Sequence, residues 1–253
     1  MVWQSRPSAM TPSPPPRLTA RIRGTVAFIC GARLLLRRVP AWPIERLSAL
    51  LGRSERERME RYAREADRIH YANAHGILRN VLGKALNEDG AALAIGEEAQ
   101  GRPRLTGRTD LSFSIAHSRD RLAIALADRP CGVDVEYSEA GESDEIVAIH
   151  CFHPDECAAI AACPKAQRTQ CFYAVWTRKE AVLKALGLGL TIDPAGFSVG
   201  ADGEAARFDE NPHAPRIFSW ALDPIDGFQM ALALASPVQD CGRDSPREGG
   251  THH

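Results

Sequence analysis

Three apolar segments in close succession constrain the fold more than any other feature of this sequence. They read LSFSIAHS, RLAIALA and CGVDVEY, and together they occupy residues 111–137. Each has the length and composition of a strand, and only the short polar connections SRD and DRP separate them. Connections this short permit only tight reversals. The sequence therefore predicts an antiparallel meander over this region.

The other periodic segments form blocks of helix and blocks of strand. The helical segments are a short one at 44–51, a long one at 54–86, one opened by Pro154 and one over 167–186. The further strand segments read GTVAFICG, FSV, FSWAL and QMALALA. Because helices and strands do not alternate strictly, the pattern predicts an α+β fold of antiparallel sheets with packed helices.

The two ends of the chain differ in composition from the rest. Residues 1–23 are rich in proline and arginine and contain no acidic residue. Residues 237–253 are rich in glycine, aspartate, arginine and proline. Such compositions cannot bury enough apolar surface to fold, so both segments are predicted to be disordered tails.

The overall charge excludes two kinds of partner. With 31 basic and 32 acidic residues, the chain offers no general attraction for nucleic acid or for an anionic membrane. No apolar run approaches the roughly 18 residues that a membrane helix needs. Any anion site must therefore be built locally. We also expect the protein to be a cytoplasmic monomer.

The seven cysteines include no CxxC pair, which predicts reduced thiols rather than a disulfide framework. The alternative is a zinc site. Its candidate ligands are Cys151, Cys157, Cys163, Cys171, His150 and His153. Their spacing fits none of the usual zinc patterns, so small thiols packed along alanine-rich helices are the preferred interpretation.

The segment GVDVEY places two carboxylates on one face of a strand. Alternation sends its two valines to one side and Asp134 and Glu136 to the other. A third acid, Glu180, lies at the edge of the apolar face of the last long predicted helix. Three carboxylates from two elements suit a Mg²⁺ ion that takes its other ligands from water and phosphates. The alternatives are an exposed acidic strand face and a solvated Glu180–Lys184 pair.

Lys179 falls inside the apolar face of the same helix. Burying an ammonium group without a partner is costly. The pattern therefore predicts an anionic neighbour for Lys179, either a carboxylate such as Glu180 or a bound phosphate.

Four motifs, in this order, resemble those of the Sfp-type 4'-phosphopantetheinyl transferases: GRP, SIAHS, GVDVEY and FYAVWTRKEAVLKALGLGL. The resemblance covers about residues 24–236. It implies a pseudo-dimeric fold of two similar α+β halves, which we place at 24–115 and 116–236, with the metal site in the second half. It also implies Mg²⁺-dependent transfer of the phosphopantetheine arm of coenzyme A to a serine of an apo acyl or peptidyl carrier protein. The second product is 3',5'-bisphosphoadenosine.

The resemblance also implies roles for individual residues. Asp134, Glu136 and Glu180 would hold Mg²⁺ against the pyrophosphate of coenzyme A, and Lys184 would meet that pyrophosphate. The other implied coenzyme A contacts are His117 at the 3'-phosphate, Arg102 on the same phosphate region, Lys179, and Arg58 with Arg56 as the competing choice. Because a serine hydroxyl needs a base, Glu180 is the predicted base, acting directly or through a metal-bound water.

Two other functions stay open on sequence grounds. The same groups would serve a Mg²⁺-dependent phosphohydrolase that acts on a nucleotide-like pyrophosphate. A non-catalytic relative would bind coenzyme A or a carrier protein without transfer. The three acids argue against this last function, because an idle site has no reason to keep mutually repelling carboxylates together. Carrier proteins are acidic in most systems, so the arginines of 53–68 are predicted docking contacts.

Overall fold

The structure is a computed structural model that describes residues 26–39, 48–98, 100–139, 141, 144–200, 203–209 and 215–236. The two predicted tails and most of the predicted helix at 44–51 lie outside the described residues. Within these ranges, no helix has the length and apolarity that a bilayer span requires.

The first sheet has four antiparallel strands in the order β1-β2-β6-β5. These strands are β1 (Val26–Ile29), β2 (Ala32–Arg38), β5 (Ser112–Ser118) and β6 (Arg121–Ala127). Helices α1 (Arg53–Glu60) and α2 (Glu65–Leu86) follow β2, so the long helical segment is interrupted once. A small hairpin of β3 (Ile95–Glu97) and β4 (Pro103–Leu105) leads on to β5.

The second sheet has three antiparallel strands in the order β10-β11-β7. These strands are β7 (Cys131–Tyr137), β10 (Ile217–Ala221) and β11 (Phe228–Ala235). Between β7 and β10 come helices α3 (Asp144–Cys151), α4 (Pro154–Ala162) and α5 (Arg168–Leu186), and then the short pair β8 (Phe197–Ser198) and β9 (Arg207–Phe208). The helices opened by Pro154 and near residue 167 are thus confirmed.

The two sheets repeat one topology. In the first half, β2 is followed by the long helix α2 and then by β5 and β6, and the sheet order is β2-β6-β5. In the second half, β7 is followed by the long helix α5 and then by β10 and β11, and the order is β7-β11-β10. The predicted α+β fold of two similar halves is therefore confirmed.

The structure corrects two details of the sequence prediction. β5 and β6 form the expected hairpin, but β7 leaves the meander and pairs with β11 in the other sheet. The change of sheet therefore falls at residues 128–130, between β6 and β7, whereas the boundary predicted at residue 116 lies inside β5. The reason is burial: the odd residues of β6 and β7 face each other across the interior, which side-by-side pairing would not allow.

The core is built in layers of helix, sheet, sheet and helix. Side chains from both sheets form the central cluster, including Ala125, Val133 and Leu232. α2 covers the outer face of the first sheet and α5 the outer face of the second. A Cβ atom added to Gly132 would lie 1.9 Å from the carbonyl oxygen of Ala181. The glycine of GVDVEY therefore allows α5 to rest directly on β7.

The cysteine prediction was wrong at one pair. Cys163 and Cys171 form a disulfide that links the end of α4 to the first turn of α5. Cys151 and Cys157 are free thiols. The imidazole Nδ1 of His153 accepts a hydrogen bond from the backbone N–H of Asp155 and so caps α4. No zinc site exists among the described residues.

Candidate active site

The acidic face of β7 lies directly under α5, as alternation predicts. Val133 and Val135 are fully buried in the central core, whereas Asp134 and Glu136 point to the opposite side, towards the helix. Lys184, on α5, donates a hydrogen bond of 2.6 Å from Nζ to Oδ1 of Asp134. This ion pair joins the strand and the helix that carry the predicted site.

Asp134 is the most buried of the three carboxylates, with 4% of the residue exposed. Burial raises its pKa in spite of the nearby Lys184 ammonium. Its second oxygen, Oδ2, is buried and has no hydrogen-bond partner among the described residues. A buried, unpartnered carboxylate oxygen is unfavourable, which suggests that a ligand or ion completes it.

Glu136 and Glu180 share this environment. Burial raises the pKa of Glu136, and the negative charges of Asp134 and Glu180 raise it further. Burial likewise raises the pKa of Glu180, with the Asp134 charge adding to the shift. The three carboxylates therefore lie close enough to repel one another, and a cation between them would relieve that repulsion.

The donor chemistry of the three carboxylates fits Mg²⁺, because that ion prefers hard oxygen ligands. The unpartnered Oδ2 of Asp134 supports the same fit. However, no three acidic, histidine or cysteine side chains among the described residues converge closely enough to hold a metal as they stand. Two oxygens are already engaged, by Lys184 at Asp134 and by the Ser118 hydroxyl at Glu136.

Two adjoining cavities lie in the groove between the halves, and Glu180 is the acid of the three that lines the first. The first, of about 260 Å³, is lined by Glu180 and Lys184 on one side and by Arg102 and Phe113 on the other. The second, of about 300 Å³, lies beneath α2. Its polar lining residues include Arg58, His70, Tyr71, His75 and His117. Both cavities are bordered by Gly101, Pro103 and Ile115, so they form one continuous groove.

His117 lies in the second cavity and is neutral at physiological pH. Burial lowers the pKa of His117 to about 4, and the positive charges of His70 and Lys184 add to the shift. Its ring stands edge-to-face against that of His70, with the ring centroids 4.4 Å apart. A phosphate in this cavity would favour the protonated imidazole and reverse the shift.

The two candidate arginines of α1 differ in position. Arg58 lines the second cavity and forms an ion pair with Glu97, in which Nη1 and Oε1 are 2.5 Å apart. Arg56 instead donates to the backbone carbonyls of Ser48 and Leu51. The structure therefore favours Arg58 over Arg56 as the residue that faces a ligand.

Arg102 lines the first cavity but also connects the two halves. Its guanidinium donates to the hydroxyl of Ser112 and to the backbone carbonyls of Cys131 and Ala185, at 3.2 to 3.3 Å. Gly187 ends α5 in the left-handed region, with φ of 72°. A Cβ atom there would lie 3.1 Å from Nη1 of Arg102. Arg102 thus holds the cleft together as well as facing it.

Lys179 does not lie in either cavity, contrary to its predicted contact with coenzyme A. It is 2% exposed, and its Nζ donates to Oε2 of Glu156 at 2.7 Å and to the carbonyl of Phe197 at 2.6 Å. The expected anionic neighbour is therefore Glu156, not Glu180. Helical geometry explains the difference, because adjacent residues on α5 point about 100° apart.

Sequence reasoning missed several polar residues that shape the site: Ser114, Ser118, Glu156 and His70. The serines alternate along LSFSIAHS, a period of two that marks one face of β5. Glu156 sits three positions into the helix capped by His153, where its carboxylate also accepts the His153 backbone N–H. That capping pattern was visible in the sequence, but its long-range partner Lys179 was not.

Comparison with known proteins shows which sequences this chain resembles. The profile of the 4'-phosphopantetheinyl transferase superfamily matches residues 130–233. The 4'-phosphopantetheinyl transferase Sfp of Bacillus subtilis is 26% identical over 196 residues, which cover 76% of this chain and 86% of that protein. A protein of Synechocystis sp., provisionally named a 4'-phosphopantetheinyl transferase, is 33% identical over 198 residues, covering 73% of this chain and 79% of its own.

Among solved structures, the holo-[acyl-carrier-protein] synthase of Thermotoga maritima matches with a TM-score of 0.34 and 20% identity, covering 42% of this chain and 62% of that one. The sequence relationships establish the class: the chain belongs to the 4'-phosphopantetheinyl transferase family, and within it to the Sfp type. It is therefore a transferase that moves phosphopantetheine, and enzymes of this family use coenzyme A as substrate.

Proposed function

We propose that this chain transfers the phosphopantetheine arm of coenzyme A to a serine of an apo acyl or peptidyl carrier protein, with Mg²⁺ as the required ion. One observation carries the proposal. Glu180 and Lys184 line a groove that continues to Arg58 and His117, and burial raises the pKa of Glu180 as it does those of the neighbouring Asp134 and Glu136. Perturbed acids beside a cavity with cationic side chains are typical of a phosphate-transfer site.

The groove suits a nucleotide donor whose ribose carries a pyrophosphate at the 5' position and a phosphate at the 3' position. Lys184 and Arg102 in the first cavity would receive the pyrophosphate. Arg58 and His117 in the second would receive the 3'-phosphate, and a protonated His117 would then pair with it. Asp134, Glu136 and Glu180 would hold Mg²⁺, which neutralises charge on phosphate oxygens when bound.

In the transfer, the carrier serine Oγ forms a bond to the phosphorus that bears the pantetheine arm. The bond from that phosphorus to the bridging pyrophosphate oxygen breaks, and 3',5'-bisphosphoadenosine leaves. Glu180, which lines the first cavity beside Lys184, takes the serine proton. Lys184 offsets the charge that develops on the phosphates.

Intact-mass analysis of apo carrier proteins tests this function. Carriers of fatty acid, polyketide and nonribosomal peptide systems are incubated with the protein, coenzyme A and Mg²⁺. A carrier that gains one phosphopantetheine, with equimolar 3',5'-bisphosphoadenosine, supports the proposal. Breakdown of coenzyme A without any carrier would instead indicate a phosphohydrolase, and coenzyme A binding without turnover a non-catalytic relative.

A further inference from the structure

β5 carries different chemistry on its two faces. His117 and Ile115 face the cavity beneath α2, whereas Ser114 and Ser118 face the other way, towards β7. β7 is an edge strand of the second sheet, so the N–H groups on its free side need partners from outside that sheet. The serine hydroxyls of β5 supply them.

Two of these contacts are alike except in one respect. The hydroxyl of Ser114 accepts the backbone N–H of Val133 at 3.1 Å, and the hydroxyl of Ser118 accepts that of Tyr137 at 3.2 Å. Ser118 makes one bond more, because its O–H donates to Oε2 of Glu136 at 2.8 Å. Of these two serine hydroxyls, only that of Ser118 contacts a carboxylate of the site among the described residues.

We propose that Ser118 is a positioning residue that fixes the carboxylate of Glu136 for divalent-ion binding. The inference rests on the proposed function, in which Glu136 holds Mg²⁺. A glutamate side chain loses considerable rotamer freedom when it is ordered. The accepted N–H orients the Ser118 hydroxyl, and the hydroxyl occupies one glutamate oxygen while leaving Oε1 for an ion. Residues that orient metal ligands in this way contribute strongly to metal affinity.

The arrangement also gives one strand two tasks. His117 faces the cavity assigned to the 3'-phosphate, and its neighbour Ser118 faces the opposite side and holds Glu136. The two side chains belong to the first half, whereas Glu136 belongs to the second. Ser118 is therefore the point at which the first half sets the geometry of the predicted ion site.

Binding of Mn²⁺, followed by electron paramagnetic resonance of the free ion, tests the proposal. The full chain is titrated with coenzyme A present and no carrier protein, and coenzyme A without protein is the blank. The variants are Ser118→Ala, Ser118→Thr, which keeps the hydroxyl, and Ser118→Cys, which keeps the shape with a weak donor. Ser198→Ala is the control, because the Ser198 hydroxyl likewise accepts a backbone N–H, that of Gly200 at 3.2 Å, and lines neither cavity.

We expect Ser118→Ala to weaken Mn²⁺ binding by about tenfold or more. Ser118→Thr should restore it, and Ser118→Cys should be intermediate. Ser198→Ala should lower the melting temperature, with unchanged Mn²⁺ affinity. The half-saturating Mg²⁺ concentration in the transfer assay should rise in parallel for Ser118→Ala, with unchanged KM for the carrier.

Three results would overturn the proposal alone: equal Mn²⁺ affinity in Ser118→Ala and wild type, equal losses in the two alanine variants, or tighter binding in Ser118→Ala. The last result would mean that Ser118 holds Glu136 away from the ion. If Ser118→Ala does not fold, the comparison of Ser118→Cys with Ser118→Thr decides the question. A wild-type chain that binds no Mn²⁺ would overturn the proposed function itself, and this inference with it.

Discussion

Equivalent strands of the two halves both alternate large and small side chains, but the large ones face the helix in one half and the core in the other. In β6, Leu122, Ile124 and Leu126 face the helix α2, and the intervening alanines face the central core. In β11 the alanines at 231 and 233 face the helix α5, and the large side chains face the core. The segments RLAIALA and QMALALA have nearly the same pattern. In the first the large side chains face the helix, and in the second they face the core.

This difference decides what each helix can do. α5 rests on alanines and on Gly132, so its Glu180 and Lys184 are brought down onto the acidic face of β7. α2 rests on leucines, isoleucine and phenylalanine, and a cavity of about 300 Å³ lies between it and β5. One topology thus provides a close-packed face for acids in the second half and a binding cavity in the first.

The two halves also differ in the pKa values of their buried glutamates. In the first half, Glu55 accepts hydrogen bonds from Arg79, His75 and the backbone N–H of Gly52. Burial alone would raise the pKa of Glu55, but these partners lower it below its usual value. In the second half, burial raises the pKa of Glu180. The paired charge of Glu55 stabilises the fold, whereas Asp134, Glu136 and Glu180 in the second half are held at a cost that a bound cation would offset.

The largest expected effect comes from replacing one of these acids. Glu180→Gln should lower the transfer rate by about 10²-fold or more, because the base is lost. It should also stabilise the protein. The folded state binds the Glu180 proton more tightly than the unfolded chain does, so ionisation above the ordinary pKa of Glu costs folding free energy. Differential scanning fluorimetry should show a melting temperature above that of wild type at pH 8, and no gain below about pH 4.

Glu55→Gln is the matched change in the first half, and its effect should have the opposite sign. The lowered pKa of Glu55 contributes stability above the ordinary pKa of Glu, and this contribution disappears as the pH falls. The variant should therefore melt below wild type at pH 8. If both substitutions shift the melting temperature in the same direction, the contrast between the halves is wrong.

The second effect concerns Lys179, whose predicted ligand contact the structure replaces with a structural ion pair. Lys179→Met leaves Glu156 as an unpaired buried anion and should lower the free energy of unfolding by about 3 to 5 kcal/mol in urea titrations. The double variant Lys179→Met with Glu156→Gln should recover part of the loss. In protein that stays folded, the KM for coenzyme A should be unchanged. A large rise in KM without a loss of stability would restore the ligand role.

The fate of Lys179 shows where sequence reasoning stops. Alternation in GVDVEY and helical spacing around Glu180 are local rules. Alternation correctly separated Asp134 and Glu136 from the two core valines, whereas a metal site shared by Asp134, Glu136 and Glu180 stays a prediction. Lys179 was correctly expected to have an anionic partner, but that partner is 23 residues away on another helix. No local period connects two such positions.

The sheet assignment of β7 failed for a similar reason. Short connections predict a meander, and they predicted β5 and β6 correctly. Whether the third strand joins that sheet depends on the distant β11, with which β7 pairs along its whole length. The alternation of large and small side chains in RLAIALA and QMALALA is visible in the sequence. Which of the two sets faces a helix can be read only from the positions of α2 and α5.

The third effect tests the cavity of the first half. His117→Gln should raise the KM for coenzyme A about tenfold, with little effect on dephospho-coenzyme A, which lacks the 3'-phosphate. Because the pKa of His117 is about 4 without a ligand, a phosphate that binds the charged imidazole must bring a proton with it. Wild-type affinity for coenzyme A should therefore rise as the pH falls from about 8 to 6, and this slope should flatten in the variant. Equal losses with both donors would place the 3'-phosphate elsewhere.

The smallest expected effect concerns the surface of the first half, where the carrier protein is predicted to dock. Arg61 and Arg64 are exposed between α1 and α2, beside the cavity residue Arg58. Reversing both charges with Arg61→Glu and Arg64→Glu should raise the KM for an acidic carrier by about three- to tenfold at low salt, because steering of the encounter is lost. The KM for coenzyme A should not change, and the effect should fade as salt shortens the screening length. Lys165→Glu with Arg216→Glu, an equal charge change at exposed residues of the second half, is the control. An equal rise in the carrier KM for this control would mean that net charge, and not a docking face on the first half, governs carrier binding.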